Sequence, residues 1–385
     1  MNFSEFDRKC MSRAISLAKR GMGKTSPNPL VGALVVKNNS IIGEGWHKQY
    51  GGRHAEKEAL YAALAAGKSP VGADLYCTLE PCCFTAPDKN QPPCTKLIIN
   101  SGIRRVFIAN IDPNPKVKGR GIRALEKAGL KVRAGLLASA AEKLNEAYFT
   151  YHRLGRPFVS LKIAQSIDGR IAASGESSQI TDDAARRLVH RMRSCHDAVL
   201  IGRGTALADN PQLTVRQLKG NNPLRVVLDS KLSLPVSLRL FSLPDPEKTI
   251  VICSDKAAPD KIAALQNKGI RIITLPHDHC SLPLTPCPLF SLQTVLSALA
   301  ELGIRSVLVE GGGAVFTSFL REGLWDRLSV FIAPIVIGEG VSAVGDLRIT
   351  AVSNALRLCN VSIKRIGDQV LIEGNREDGN VYRDC

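Results

Sequence analysis

The chain has 385 residues, 44% of them hydrophobic, and a formal net charge of +16. That is enough for two ordinary domains, and no apolar run approaches the length of a membrane span. The basic residues are scattered and aromatics make up only 5% of the chain, which argues against a nucleic-acid partner and its stacking platforms and fits pockets for phosphorylated small molecules or a generally basic surface.

The first twenty residues read as a polar amphipathic helix rather than a signal peptide. Eleven cysteines in a large chain without such a signal read as reduced thiols plus a metal site, with the cytoplasm as the expected compartment. In chain order, the pattern predicts a helix over 3–22 and a rigid turn at Pro27-Asn28-Pro29. A strand from Val31 to Val36 follows, then a hairpin at Asn38-Asn39-Ser40 and a return strand from Ile41 to Trp46. Gly51-Gly52 breaks the structure before a strong helix-forming run from Glu56 to Ala66, which Gly67 stops. Strands at Asp74–Thr78, Val106–Ala109 and Val132–Ala134 alternate with helices after Cys94 and over 119–129. This predicts a layered α/β domain over residues 1–152. Gly155-Arg156-Pro157 is the natural linker.

Residues 156–375 then start over. Strands are expected at Phe158–Ile163, Ala198–Ile201, Val226–Leu228, Thr249–Cys253, Arg271–Thr274, Ser306–Val309 and Leu328–Ile332. Helices are expected over 182–194, 257–268, 291–302 and 313–322. This alternation predicts a second α/β domain with a largely parallel sheet. The segment 277–288 reads as a surface loop; its His277, His279, Cys280 and Cys287 are more simply loop residues than a second metal site. The last dozen residues read as a frayed, polar end.

The chemistry concentrates between His54 and Cys94. One imidazole and two thiolates, His54, Cys82 and Cys94, can hold Zn²⁺ and leave its fourth position open, which is the mark of a catalytic rather than a structural zinc. His54 and Glu56 lie two positions apart, so on a regular helix they diverge by roughly 200°. They can serve one centre only in a first turn, with the ion off the helix end. Cys94 follows Pro92-Pro93 and opens a short apolar run, where helix amides and dipole favour a thiolate. Glu56 would carry protons to and from a water in the open position, with an amidine-like ring carbon as target. A structural zinc would need a fourth ligand and has no use for Glu56. Cys83 reads as a bystander, and Cys77, Cys253 and Cys359 as small core residues.

The spacing H-x-E…P-C…C is the signature of zinc-dependent nucleobase deaminases, and the first half resembles the cytidine-deaminase-like fold. The whole chain resembles the bifunctional deaminase–reductase family of riboflavin biosynthesis. The resemblance rests on Pro27-Asn28-Pro29-Leu30-Val31-Gly32, Gly43-Glu44-Gly45-Trp46-His47, His54-Ala55-Glu56, Leu79-Glu80-Pro81-Cys82, Pro92-Pro93-Cys94 and Asp112-Pro113-Asn114-Pro115. In the second half it rests on Lys162-x-x-x-Ser166-x-Asp168-Gly169, Gly175-Glu176-Ser177, the run Ala206 to Pro211, Leu213 to Arg216, and Glu310-Gly311-Gly312.

The resemblance implies a deaminase domain followed by a dihydrofolate-reductase-like domain. The first would remove an amino group from a phosphorylated diaminopyrimidinone. The second would use NADPH to reduce the ribosyl group to a ribityl chain. It implies Asn28 and His47 as substrate-binding residues in the first domain. In the second it implies Lys162 as catalytic, and Ser177, Arg193, Leu213, Arg216 and Glu310 as substrate-binding. Ala164, Gln179, Thr205, Asp209 and the run Gly312, Gly313, Ala314, Val315, Phe316, Thr317 and Ser318 would take the cofactor. Two arginine forks suit a phosphate, and a glycine-rich start to a helix suits the cofactor's phosphates. A homo-oligomer, dimer or tetramer, is also implied. Two departures stand out: Phe84 replaces a family histidine, with Lys89 as the nearest candidate for the family's basic residue, and Gln179 stands where tryptophan is common. The alternatives are a nucleic-acid-editing deaminase and a structural zinc protein. The absence of interleaved aromatic and basic residues over 156–375 disfavours the first, and Glu56 disfavours the second.

Overall fold

The structure, a computed structural model, describes residues 3–85, 92–173, 180–218, 220–277 and 290–377. It divides into two compact units, residues 1–155 and 156–385. Among the described residues no helix is long and apolar enough to cross a membrane.

In the first unit the elements run α1 Glu5–Ala18, β1 Gly32–Lys37, β2 Ser40–Trp46, α2 Ala55–Ala65, β3 Asp74–Leu79 and α3 Cys94–Asn100. They continue as β4 Arg105–Asn110, α4 Arg120–Lys127, β5 Lys131–Ala134, α5 Ala138–Leu144 and α6 Glu146–Leu154. The expected 3–22 helix is shorter: Ser4 and Asp7 close a capping box, and after Ala18 the chain tightens into a single turn at Lys19–Gly21. The sheet has the order β2-β1-β3-β4-β5. Its first two pairings are antiparallel and its last two parallel. Ala33, Val35, Leu75, Cys77, Val106 and Ile108 build the core on one face with α2 and α3. Leu34, Val36, Tyr76 and Phe107 build the other with α1 and α5. The two faces take alternate residues of the same strands, as a sheet covered on both sides requires.

Two glycines bring α2 onto β2. A Cβ at Gly43 would lie 2.2 Å from the Ala59 carbonyl oxygen, and one at Gly45 would lie 2.4 Å from that of Ala55. Any side chain at either position would push the helix, and with it His54 and Glu56, off the sheet.

In the second unit the elements begin with β6 Phe158–Gln165, β7 Arg170–Ala173, α7 Asp183–Cys195, β8 Ala198–Gly202, α8 Arg203–Asp209, β9 Leu224–Leu228 and β10 Thr249–Ser254. Then come α9 Pro259–Gln266, β11 Arg271–Leu275, α10 Leu292–Glu301, β12 Ser306–Val309, α11 Gly313–Glu322 and β13 Arg327–Ile332. The unit ends with β14 Gly340–Ser342, β15 Leu358–Ile366 and β16 Gln369–Arg376. The main sheet has the order β11-β10-β9-β8-β12-β6-β13-β16-β15. It is parallel from β11 to β13, as expected, and ends in the antiparallel pairs β13–β16 and β16–β15.

That terminal ribbon is a correction. Residues 374–376, expected to be frayed, pair within β16. Cys77 and Cys253 are fully buried, whereas Cys359, also expected in the core, is only half-buried on edge strand β15. Residues 278–289, most of the expected surface loop, lie outside the described residues, as do Lys89, Ser177 and Gln179.

Glu80, 3% exposed, ties the segment before Cys82 to the loop after β4. Its carboxylate accepts main-chain N–H groups from Asp112 at 3.2 Å, Gly119 at 2.9 Å and Ile122 at 3.1 Å. Glu80→Ala leaves those donors unsatisfied and is expected to destabilise the first unit by about 2–4 kcal/mol, read as a lowered thermal midpoint.

Candidate active sites

His54 is the N-cap of α2, in extended conformation at φ −71° and ψ 159°. Glu56 therefore falls in the first helical turn, as the two-residue spacing requires. Cys94 is the first residue of α3, behind Pro93. Cys82 follows β3 and accepts the Cys94 N–H at its Sγ over 3.4 Å, while its carbonyl accepts the Thr95 N–H at 3.1 Å.

The His54 Nδ1 lies 3.3 Å from the Cys94 Sγ and 3.6 Å from the Cys82 Sγ. A tetrahedral ion with Zn–N near 2.1 Å and Zn–S near 2.3 Å places such atoms about 3.6 Å apart. The three donor atoms lie within 4.8 Å of one another, and among the described residues no fourth side chain joins them. The neighbouring Cys82 and burial both push the Cys94 thiol well up, so without a cation it favours the protonated form. Burial raises the Glu56 carboxyl, with Cys82 adding to the rise, while His54 and a hydrogen bond with Cys94 act against it. A divalent cation beside two sulfurs and a carboxylate would favour their ionised forms, and with the donor set and spacing the residues fit zinc.

His47 lies against this cluster, and Asn28 against His47. The His47 ring, 2% exposed, packs edge-on to His54 with centroids 5.4 Å apart. Its Nδ1 faces the Arg53 carbonyl at 2.9 Å, which makes Nδ1 the protonated nitrogen and leaves Nε2 to accept from Asn28 Nδ2 at 3.1 Å. Burial holds its basicity down, so it stays neutral.

In the second unit, Lys162 projects from β6 beside Glu310, which follows β12. Burial lowers the Lys162 ammonium, opposed by the Glu310 and Asp209 carboxylates and reinforced by Arg193. Arg193, expected to bind substrate by its fork, engages that fork inside the protein. Its Nε and Nη2 donate to the two Glu310 oxygens at 2.6 and 2.7 Å, and its Nη1 donates to the Thr214 carbonyl at 3.1 Å. A buried carboxylate needs such a partner. Arg216 is exposed, with its Nη1 donating to Gln212 at 2.9 Å.

Leu213 is 2% exposed, so its side chain faces the core while its main chain turns at φ 55°. Phe316 likewise buries its ring in the core. Ala164 lies on β6, Thr205 and Asp209 on α8. Gly312, at φ 69°, caps α11, and a Cβ there would come within 3.0 Å of the Thr205 Oγ1. Gly313 to Ser318 form the first turns of that helix. The Thr317 and Ser318 hydroxyls donate to the Gly313 and Ala314 carbonyls.

His190, which the sequence does not single out, lies against the Arg216 main chain. It sits on α7, 6% exposed, and its Nδ1 accepts the Arg216 N–H at 3.4 Å. Burial, Arg193 and Arg216 keep it neutral.

The RibD C-terminal domain model matches residues 157–372, and the model of the cytidine and deoxycytidylate deaminase zinc-binding region matches residues 4–110. The riboflavin biosynthesis protein RibD of Aquifex aeolicus is 40% identical over 370 residues, 96% of this chain and 98% of that one. That of Bacillus amyloliquefaciens is 42% identical over 383 residues, with 97% and 98% covered. The chain belongs to the RibD family. A solved structure of Acinetobacter baumannii RibD superposes with a TM-score of 0.85 at 33% identity, covering 97% of this chain and 99% of that one. A Thermotoga maritima structure, titled as a diaminohydroxyphosphoribosylaminopyrimidine deaminase/5-amino-6-(5-phosphoribosylamino)uracil reductase, gives 0.80 at 38% identity, covering 96% and 99%. Like its family, this chain is a two-activity enzyme of riboflavin biosynthesis: a zinc-binding deaminase domain followed by a reductase domain related to NADPH-dependent reductases.

His54→Ala is expected to weaken zinc binding more than about a hundredfold, read as metal per chain after dialysis.

Proposed function

We propose that the first unit deaminates diaminohydroxyphosphoribosylaminopyrimidine and that the second reduces the product, 5-amino-6-(5-phosphoribosylamino)uracil, with NADPH. The substrates are those named for the Thermotoga maritima relative. The observation that carries the deaminase reading is the three-donor cluster of His54, Cys82 and Cys94 with the buried Glu56 against it.

A bound zinc supplies Lewis-acid activation of a water. Glu56, raised by burial, takes a proton from water and returns protons to the ring nitrogen and the departing ammonia. Asn28 and the neutral His47 hold the substrate's ring or ribose by hydrogen bonds. In the second unit the cofactor supplies a hydride when bound. Glycine-rich Gly311 to Gly313 and the amides of α11 face its phosphates, with Ala164, Thr205 and Asp209 on flanking elements. Lys162, whose proton Glu310 and Asp209 help to hold against burial, donates to the sugar as its ring opens. Arg216 takes the substrate phosphate, while Arg193 orients Glu310 from behind. We further propose a cytoplasmic homo-oligomer. Eight described cysteines free of disulfides support the compartment, and the exposed apolar Val361 and Ile363 on edge strand β15 support self-association.

Glu56→Gln is expected to keep its zinc and lose ammonia release by about 10²–10⁴-fold; turnover near the parent rate would sink the assignment. Lys162→Ala is expected to stop NADPH oxidation on supplied uracil product while ammonia release continues; joint loss of both activities would contradict two separate centres. Glu310→Gln removes a carboxylate that favours the charged lysine. The Lys162 ammonium then loses its proton more easily. The alkaline limb of the NADPH-oxidation kcat profile is therefore expected to move to lower pH, and an unmoved limb would separate Lys162 from that titration.

A further inference from the structure

The matched zinc-binding region ends at residue 110, yet the first unit continues to residue 155. Within that continuation, between α5 and α6, lies Asn145, 5% exposed. Its side-chain amide brackets one distant residue from both sides. The Oδ1 accepts the Leu30 N–H at 2.7 Å, and the Nδ2 donates to the Leu30 carbonyl at 2.9 Å, across 115 positions of sequence. These are short, well-formed bonds inside the protein, where a hydrogen bond is electrostatically stronger than in water.

Leu30 stands between the two points at which this segment meets His47. Two residues before it, the Asn28 side chain bonds the His47 ring. One residue after it, the Val31 carbonyl accepts the His47 main-chain N–H at 2.9 Å. The stretch from Thr25 to Val31 is short of secondary structure, β1 beginning only at Gly32. Its remaining local tie is the Asn28 N–H to the Thr25 carbonyl at 2.8 Å. The grip on Leu30 therefore sets the height and direction of the Asn28 side chain over the site. One turn further along, the Tyr148 hydroxyl donates to Asp112 at 3.0 Å, and Tyr148 and Phe149 pack on Leu79 and Val31. The start of α6 thus registers the segment that carries Asn28 against the strand that leads to Cys82.

We propose that Asn145 is a positioning residue of the deaminase centre, placing Asn28 and His47 against the substrate through its two bonds to Leu30. This rests on the reading of Asn28 and His47 as substrate-binding residues.

The test uses the zinc-loaded full chain and four variants: Asn145→Ala, Asn145→Asp, Asn28→Ala and the Asn145→Ala/Asn28→Ala double. Zinc per chain, and KM and kcat for ammonia release from the phosphorylated diaminopyrimidine, are measured for each. Asn145→Ala is expected to raise KM about tenfold, a misplacement cost well short of removing a catalytic group, with zinc content unchanged. Asn145→Asp still accepts the Leu30 N–H and is expected to fall between Asn145→Ala and the parent. The double variant is expected to be no worse than Asn28→Ala, because residues acting through one another are not additive. A parent-like KM in Asn145→Ala beside a defective Asn28→Ala overturns the inference alone, as does full additivity. Loss of zinc in both Asn145 variants makes the residue a structural tie and overturns it too. A parent-like Asn28→Ala overturns the reading of Asn28 and the inference with it.

Discussion

Two sulfurs, an imidazole and a carboxylate are brought together at one partly buried place in the first unit, and the unit is built to make them do so. Burial alone would neutralise such a set: thiols stay protonated and carboxylates pick up protons when water is withdrawn. A divalent cation reverses the preference. Its charge makes the ionised forms the stable ones. The surrounding architecture serves that constraint. Helix α2 lies directly on β2 because Gly43 and Gly45 carry no side chains, and this delivers His54 at a helix start with Glu56 one step behind. The end of β3 delivers Cys82, and α3 begins on Cys94.

The second unit solves a related problem without a metal. Lys162, Glu310 and Arg193 are all largely withdrawn from solvent. Burial favours the neutral acid at Glu310, but the Arg193 guanidinium and the Lys162 ammonium hold its pKa below the ordinary range. The carboxylate in turn opposes the loss of the lysine's proton that burial favours. An ion pair of this kind adds little net stability. What it does is hold an ionised carboxylate beside a buried lysine, with Arg193 keeping that carboxylate ionised.

What could be read without coordinates follows from the range of each interaction. His54, Glu56, Cys82 and Cys94 are legible because their chemistry is written in local spacing: a helix start, a strand end and a second helix start. The parallel strands from β6 to β13 are legible because strands buried on both faces form apolar runs. The ribbon β15–β16 is not. Its residues Val361 and Ile363 point outward and exposed, so apolar positions there do not mark a buried face. Asn145 and His190 leave no local trace either, since their partners lie 115 and 26 positions away and a lone polar residue near a helix gives no hint of them. The partner of Arg193 was hidden for a similar reason. Only the fold shows that a carboxylate from position 310 arrives within reach of its fork.

Glu80 carries a consequence beyond stability. It stands two residues before the ligand Cys82 and holds the amides of Asp112, Gly119 and Ile122. Any coupling of ion binding to loop order through this carboxylate is equal in both directions, by thermodynamic reciprocity. A protease that nicks the chain between Asp112 and Arg120 would report the loading of the centre without touching it.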